Sequence, residues 1–103
     1  TLMSDAQAAE EAGAFSIVLE CITSGIAEKI TKNLRIPTIG IGAGATCDGQ
    51  ILVIQDLLGI TGGRVPKHVK KYAELRVTIT DSVNRYCQEV RDGQFPGPDQ
   101  TFH

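Results

Sequence analysis

A chain of 103 residues, 42% of them hydrophobic, has room for one small core and for no second domain. Its formal net charge is −2 and its lysines and arginines are spread along the chain, so it lacks the basic stripe that tracks a phosphate backbone, which argues against nucleic acid as a partner. No apolar run approaches the roughly 20 residues that span a bilayer, and Thr1-Leu2-Met3-Ser4 lacks the charged-then-apolar plan of a signal peptide, so the chain reads as soluble and intracellular.

The elements alternate. Ser4-Asp5-Ala6-Gln7 has the capping-box pattern, and Gly13 stands where the helix it starts must end. Phe15-Ser16-Ile17-Val18-Leu19 then reads as a buried strand that stops abruptly on Glu20-Cys21. Thr23 or Ser24 caps a second helix, in which Ile26, Ile30 and Leu34 recur on one face. Pro37 precedes a second strand, Thr38-Ile39-Gly40-Ile41, and the about 16 residues between Glu20 and Pro37 suffice for a right-handed parallel crossover. Ile51-Leu52-Val53-Ile54 is ambiguous by length; we read it as a third strand ending at Gln55-Asp56, although Ile51, Ile54 and Leu58 also fit one face of a short helix.

Gly59, Gly62 and Gly63 mark a loop, and Pro66 stands where a helix begins. From Lys67 to Arg91 the apolar residues recur at helical spacing, which predicts one long helix or two abutting ones, and Gly93 to Pro98 cannot continue it. Three parallel strands leave two open edges and a poorly covered face, so the pattern predicts either a covering partner or a place within something larger. Cys21, Cys47 and Cys87 are odd in number, far apart and without a C-x-x-C pair, which fits a reducing compartment and neither a disulfide framework nor a zinc site.

The chemistry concentrates at two strand ends. The C-terminal end of a parallel strand is where α/β folds place working residues, which makes Glu20 the first candidate; its plainer reading is a polar residue at the rim. The apolar lead-in would desolvate Glu20 and strengthen it as a base. Gly40-Ile41-Gly42-Ala43-Gly44-Ala45 matches a dinucleotide fingerprint in form, but the residues that follow are loop-like, and a strand end that lets a ligand approach the backbone fits better. Asp48 and Asp56 read as loop carboxylates, Asp56 lining the site if the third run is a strand. His68 reads as a solvated or capping histidine, and Lys67, Lys70 and Lys71 as the wet face of its helix.

Taken in order, Ala12-Gly13-Ala14, Ile17-Val18-Leu19-Glu20-Cys21, Ile36-Pro37-Thr38-Ile39-Gly40-Ile41-Gly42-Ala43-Gly44, Cys47-Asp48-Gly49-Gln50-Ile51-Leu52-Val53, Asp56, Gly59-Ile60-Thr61 and Phe95-Pro96-Gly97 resemble the C-terminal part of ketopantoate hydroxymethyltransferase, also called 3-methyl-2-oxobutanoate hydroxymethyltransferase. The resemblance covers nearly the whole chain. It implies that residues 1–103 are part of one (β/α)8 TIM-barrel domain, about strands six to eight with the C-terminal helices, and that the strands before them are absent.

The resemblance also implies an activity: transfer of a hydroxymethyl group from 5,10-methylenetetrahydrofolate to α-ketoisovalerate, giving ketopantoate for pantothenate synthesis. Magnesium chelated by the keto acid would acidify its neighbouring C–H, and Glu20 matches the proton acceptor. The magnesium ligands belong to the absent strands, so no metal ligand is assigned here and the chain alone is expected to be inactive. Barrel geometry, and not a motif, puts Gly42 and Gly44 at the mouth of the site as substrate-binding candidates. Thr23 and Gln55 depart from the proline and histidine frequent in the family. A cytoplasmic homo-oligomer, a decamer in the family, is implied, with a mitochondrial location for a eukaryotic member. Two competing readings are a magnesium-dependent 2-oxo acid enzyme of the phosphoenolpyruvate mutase and isocitrate lyase type, and a non-catalytic assembly piece.

Overall fold

Helix α1 (Leu2–Glu11) opens the chain in the computed structural model, which describes residues 1–103. Its capping box starts at Thr1, whose hydroxyl accepts the Ser4 N–H at 3.2 Å, one turn earlier than the predicted start at Ser4. Gly13 ends the helix as predicted: its N–H and that of Ala14 donate back to the carbonyls of Glu10 and Ala9, a closing turn that needs the left-handed φ of +101° at Gly13. The Glu10 carboxylate then accepts the backbone N–H groups of Arg35 at 2.6 Å and Ile36 at 3.1 Å, tying α1 to the connection between the second helix and the second strand.

Strands β1 (Ile17–Glu20), β2 (Thr38–Ile41) and β3 (Gly49–Gln50) form a parallel sheet in the order β1-β2-β3, with α2 (Ser24–Asn33) as the crossover between the first two. In α2 the inward stripe is Ala27 and Ile30, continued by Leu34 just past its end, while Ile26 is 40% exposed. The predicted four-residue spacing drifts off the face of a helix of 3.6 residues per turn, and Ala27 takes the inner place instead. Ala6, Leu19, Ala27, Ile30, Leu34, Ala43 and Cys47 form a single core cluster, so α1 and α2 cover the same face of the sheet.

The buried Thr38 is fully satisfied. Its hydroxyl shares a hydrogen bond of 2.9 Å with the Thr31 hydroxyl and accepts from Asp48 N–H, while the Asp48 carboxylate accepts the Thr38 N–H at 2.9 Å. Asp48 is thereby a structural clasp between the start of β2 and the start of β3.

The third strand is shorter and earlier than predicted. Only Gly49–Gln50 pair with β2, Ile51 N–H adds one bond to Gly40 C=O, and Ile54–Leu57 form the short helix α3. β3 lies opposite Ile39 and Gly40, so its ladder stops one residue short of the end of β2 at Ile41, and at Gly42, with φ of +70°, the chain turns away.

The predicted long helix is also shorter. Residues Lys67 to Glu74 are not helical, and α4 runs over Leu75–Arg91. The backbone N–H groups of Tyr72, Leu75 and Arg76 donate to the carbonyls of Leu57, Leu58 and Gly59, satisfying the open end of α3 in place of a helical ladder. Gly59 is required there, since its φ is +68° and a Cβ would lie 2.1 Å from the Ala73 carbonyl oxygen.

Only 11 of the 103 residues are buried, and none is in α4. The radius of gyration is 22.2 Å, against about 13 Å for a compact domain of this length, because α4 stands away from the sheet. No helix is long and apolar enough to cross a membrane.

Candidate functional site

Glu20 closes β1 opposite Ile41 of β2. Alternate residues of a strand face opposite sides, and Leu19 is 3% exposed against the helices, so Val18 and Glu20 face the side that no helix covers. The Glu20 carboxylate is exposed and makes no hydrogen bond or ion pair. The apolar strand does not bury Glu20, because Ile17 and Leu19 point to the other face and Val18, on its own face, is itself half exposed. Cys21 follows in the left-handed region, with φ of +51°, and its N–H donates to Ile41 C=O at 2.9 Å, a tight departure from the strand end.

Gly42 and Gly44 turn the chain just past β2, at φ of +70° and +87°. A Cβ on Gly42 would meet the imidazole of His68 at 3.1 Å, and one on Gly44 would meet the Cβ of Ser24 at 2.8 Å. The two glycines thus let a loop and a helix start approach the strand end closely. Around them open three clefts, the two larger of about 530 Å³ and about 600 Å³. Gly42 and His68 line both; Lys70, Tyr72, Leu52 and Leu57 are among the other walls of the first, and Cys21, Thr23, Gly44 and Lys67 among those of the second. Glu20 lines neither, although its neighbour Cys21 lines the second.

The candidates therefore divide. Glu20, Gly42 and Gly44 come together at one end of the sheet, as predicted for strand ends. Asp48 belongs to the Thr38 clasp, and Asp56, in α3 and not at the end of a strand, lines neither cleft. The glycine segment opens no helix, which removes the dinucleotide reading. Lys67, Lys70 and Lys71, expected as the wet face of a helix, and His68, expected as solvated or capping, lie on a non-helical stretch, from which His68, Lys67 and Lys70 line the clefts beside Gly42. Nothing local in the sequence announces this, since it depends on donors of that stretch reaching back to α3. No three His, Cys, Asp or Glu side chains converge, so these residues do not by themselves form a site for magnesium, which favours several oxygen ligands.

Residues 1–98 match the family model described as ketopantoate hydroxymethyltransferase. The chain is similar to proteins named 3-methyl-2-oxobutanoate hydroxymethyltransferase from Pelobacter propionicus, 59% identical over 102 residues, and from Heliobacterium modesticaldum, 58% identical over 101 residues. A third, from Mesorhizobium japonicum, is 56% identical over 101 residues. These alignments take in 98–99% of this chain and 35–38% of the relatives, so the chain spans about a third of the length of the curated relatives it matches. With that match over nearly every residue, and with the strand ends and glycine turns that carry it brought to one side of one parallel sheet, the chain belongs to the ketopantoate hydroxymethyltransferase family.

Proposed function

We propose that these residues are the C-terminal third of a (β/α)8-barrel enzyme that transfers a hydroxymethyl group from 5,10-methylenetetrahydrofolate to 3-methyl-2-oxobutanoate, giving ketopantoate in pantothenate biosynthesis. One observation carries the barrel reading: helices cover a single face of a sheet whose strands run in sequential order, and Glu20 ends β1 on the bare face. A barrel wall has this arrangement, with helices outside and active residues at the C-terminal strand ends inside, whereas a doubly wound sheet reverses its order and is covered on both faces. On this reading β1 to β3 are strands six to eight, and the magnesium ligands and the walls that desolvate Glu20 come from the preceding strands.

Glu20 takes the proton from C3 of the keto acid. The carbon so freed bonds to the methylene carbon of the donor as the first of its two carbon–nitrogen bonds breaks, water supplies the hydroxyl as the second breaks, and the protons from C3 and from that water end on the two nitrogens, leaving tetrahydrofolate. Gly42 and Gly44 shape the mouth of the site by letting His68 and Ser24 close on the end of β2. The exposed apolar residues of α4 support a homo-oligomer, for which the family resemblance suggests a decamer.

The test uses a full-length chimera in which these residues replace the matching third of the Heliobacterium modesticaldum relative. Deuterium exchange at C3 of the keto acid, with magnesium and without folate, isolates the proton transfer. Glu20→Gln is expected to slow exchange by roughly 10²- to 10⁴-fold with keto acid affinity within about twofold. Exchange at the unsubstituted rate would remove Glu20 as the base, and loss of keto acid binding would make it a binding residue.

A further inference from the structure

The stretch Lys67 to Tyr72 lies over the glycine turn with an electrostatic bias that proton transfer at Glu20 does not explain. A local turn closes Val69 N–H on Pro66 C=O, and Tyr72 N–H ties the end of the stretch to Leu57 C=O. Lys67 lines one of the two larger clefts, Lys70 the other, and His68 both, while no Asp or Glu lines either. Lys71 pairs with Glu74 at 3.8 Å, but Lys67 and Lys70 have no carboxylate partner. Lys70 Nζ sits 5.0 Å from the centre of the Tyr72 ring, beside the apolar wall of Leu52 and Leu57.

Unpaired cations on two adjoining clefts that share Gly42 and His68 suit an anion, and the aromatic and apolar wall beside Lys70 suits a flat ring system. We propose that Lys67 and Lys70 bind the glutamate carboxylates of the one-carbon donor, whose rings lie along the wall formed by Tyr72, Leu52 and Leu57. This rests on the donor assigned under the proposed function, and it adds residues outside the strand ends that discriminate between a donor with its anionic tail and one without.

The test measures binding to the full-length chimera by calorimetry, with two probes: tetrahydrofolate, which carries the glutamate tail, and 6-methyltetrahydropterin, which does not. Changing Lys67 and Lys70 together to Gln is expected to weaken tetrahydrofolate about tenfold and leave the pterin within about twofold, while the paired Arg variant keeps both affinities. Equal loss for both probes, no loss for either, or no tetrahydrofolate binding by the unsubstituted chimera would overturn the proposal. The base assignment stands or falls separately on deuterium exchange, which needs no folate.

Discussion

Gly42 and Gly44 sit one residue apart, yet a side chain at each would strike different matter. At Gly42 the obstacle is the His68 imidazole, which can swing aside; at Gly44 it is the Cβ of Ser24, fixed to the first turn of α2. Both substitutions to Ala carry the strain of the left-handed region, about 1–2 kcal/mol, and Gly44→Ala adds a clash that only backbone movement relieves. In the full-length chimera, urea unfolding is expected to show about 1–2 kcal/mol lost for Gly42→Ala and about 2–4 kcal/mol for Gly44→Ala. Adding Ser24→Gly is expected to return part of the second loss and none of the first; equal losses would mean that conformation alone decides. At this scale Glu20 was legible, because an apolar run that ends on a carboxylate marks a strand end without knowledge of the fold. His68 was not, because its contact with Gly42 spans the whole of β3 and α3 and leaves no local pattern.

Among the elements, β1 and β2 were readable because each is a short apolar run with a clear terminator, Glu20-Cys21 in one case and the glycines in the other. The third strand was not, since apolar residues and a paired ladder are different things: Ile51, Val53 and Ile54 are 51%, 49% and 59% exposed, and the ladder stops one residue short of the end of β2 at Ile41. Helix α4 poses the converse problem of a correct periodicity with no packing to match. Ile79, Val83, Tyr86 and Val90 follow one helical face, all 45–53% exposed, and only Tyr86 meets an aromatic neighbour, Phe95, edge-on at 5.3 Å. In the oligomer we propose, that stripe contacts another subunit. Val83→Asp in the chimera would bury an unpaired charge there, so sedimentation velocity is expected to show at least about a tenfold weaker assembly with helix content unchanged by circular dichroism. An unaltered assembly would place the contact on another surface.

For the molecule as a whole, the sheet has one bare face and the core is small. Helices cover Leu19, but Val18 is 52% exposed on the opposite side and Glu20 stands beside it without a partner, which is where a barrel interior would lie. If the preceding strands supply that interior, the complementary N-terminal two-thirds of the Heliobacterium modesticaldum relative, coexpressed with this chain, is expected to form a complex that exchanges deuterium at C3 of the keto acid. The 103-residue chain alone is expected to show no exchange above background. Hydrogen exchange should report the same closure, with the amides of Ile17 to Glu20 better protected in the complex than in the isolated chain, because only the complex shields both faces of β1 from water. A chain that instead unfolds cooperatively alone, with a radius of gyration near the about 13 Å of a compact domain by small-angle scattering, would mean that α4 folds back over the bare face. The site at Glu20 would then be shut from within, and the barrel reading would fail along with the need for a complement.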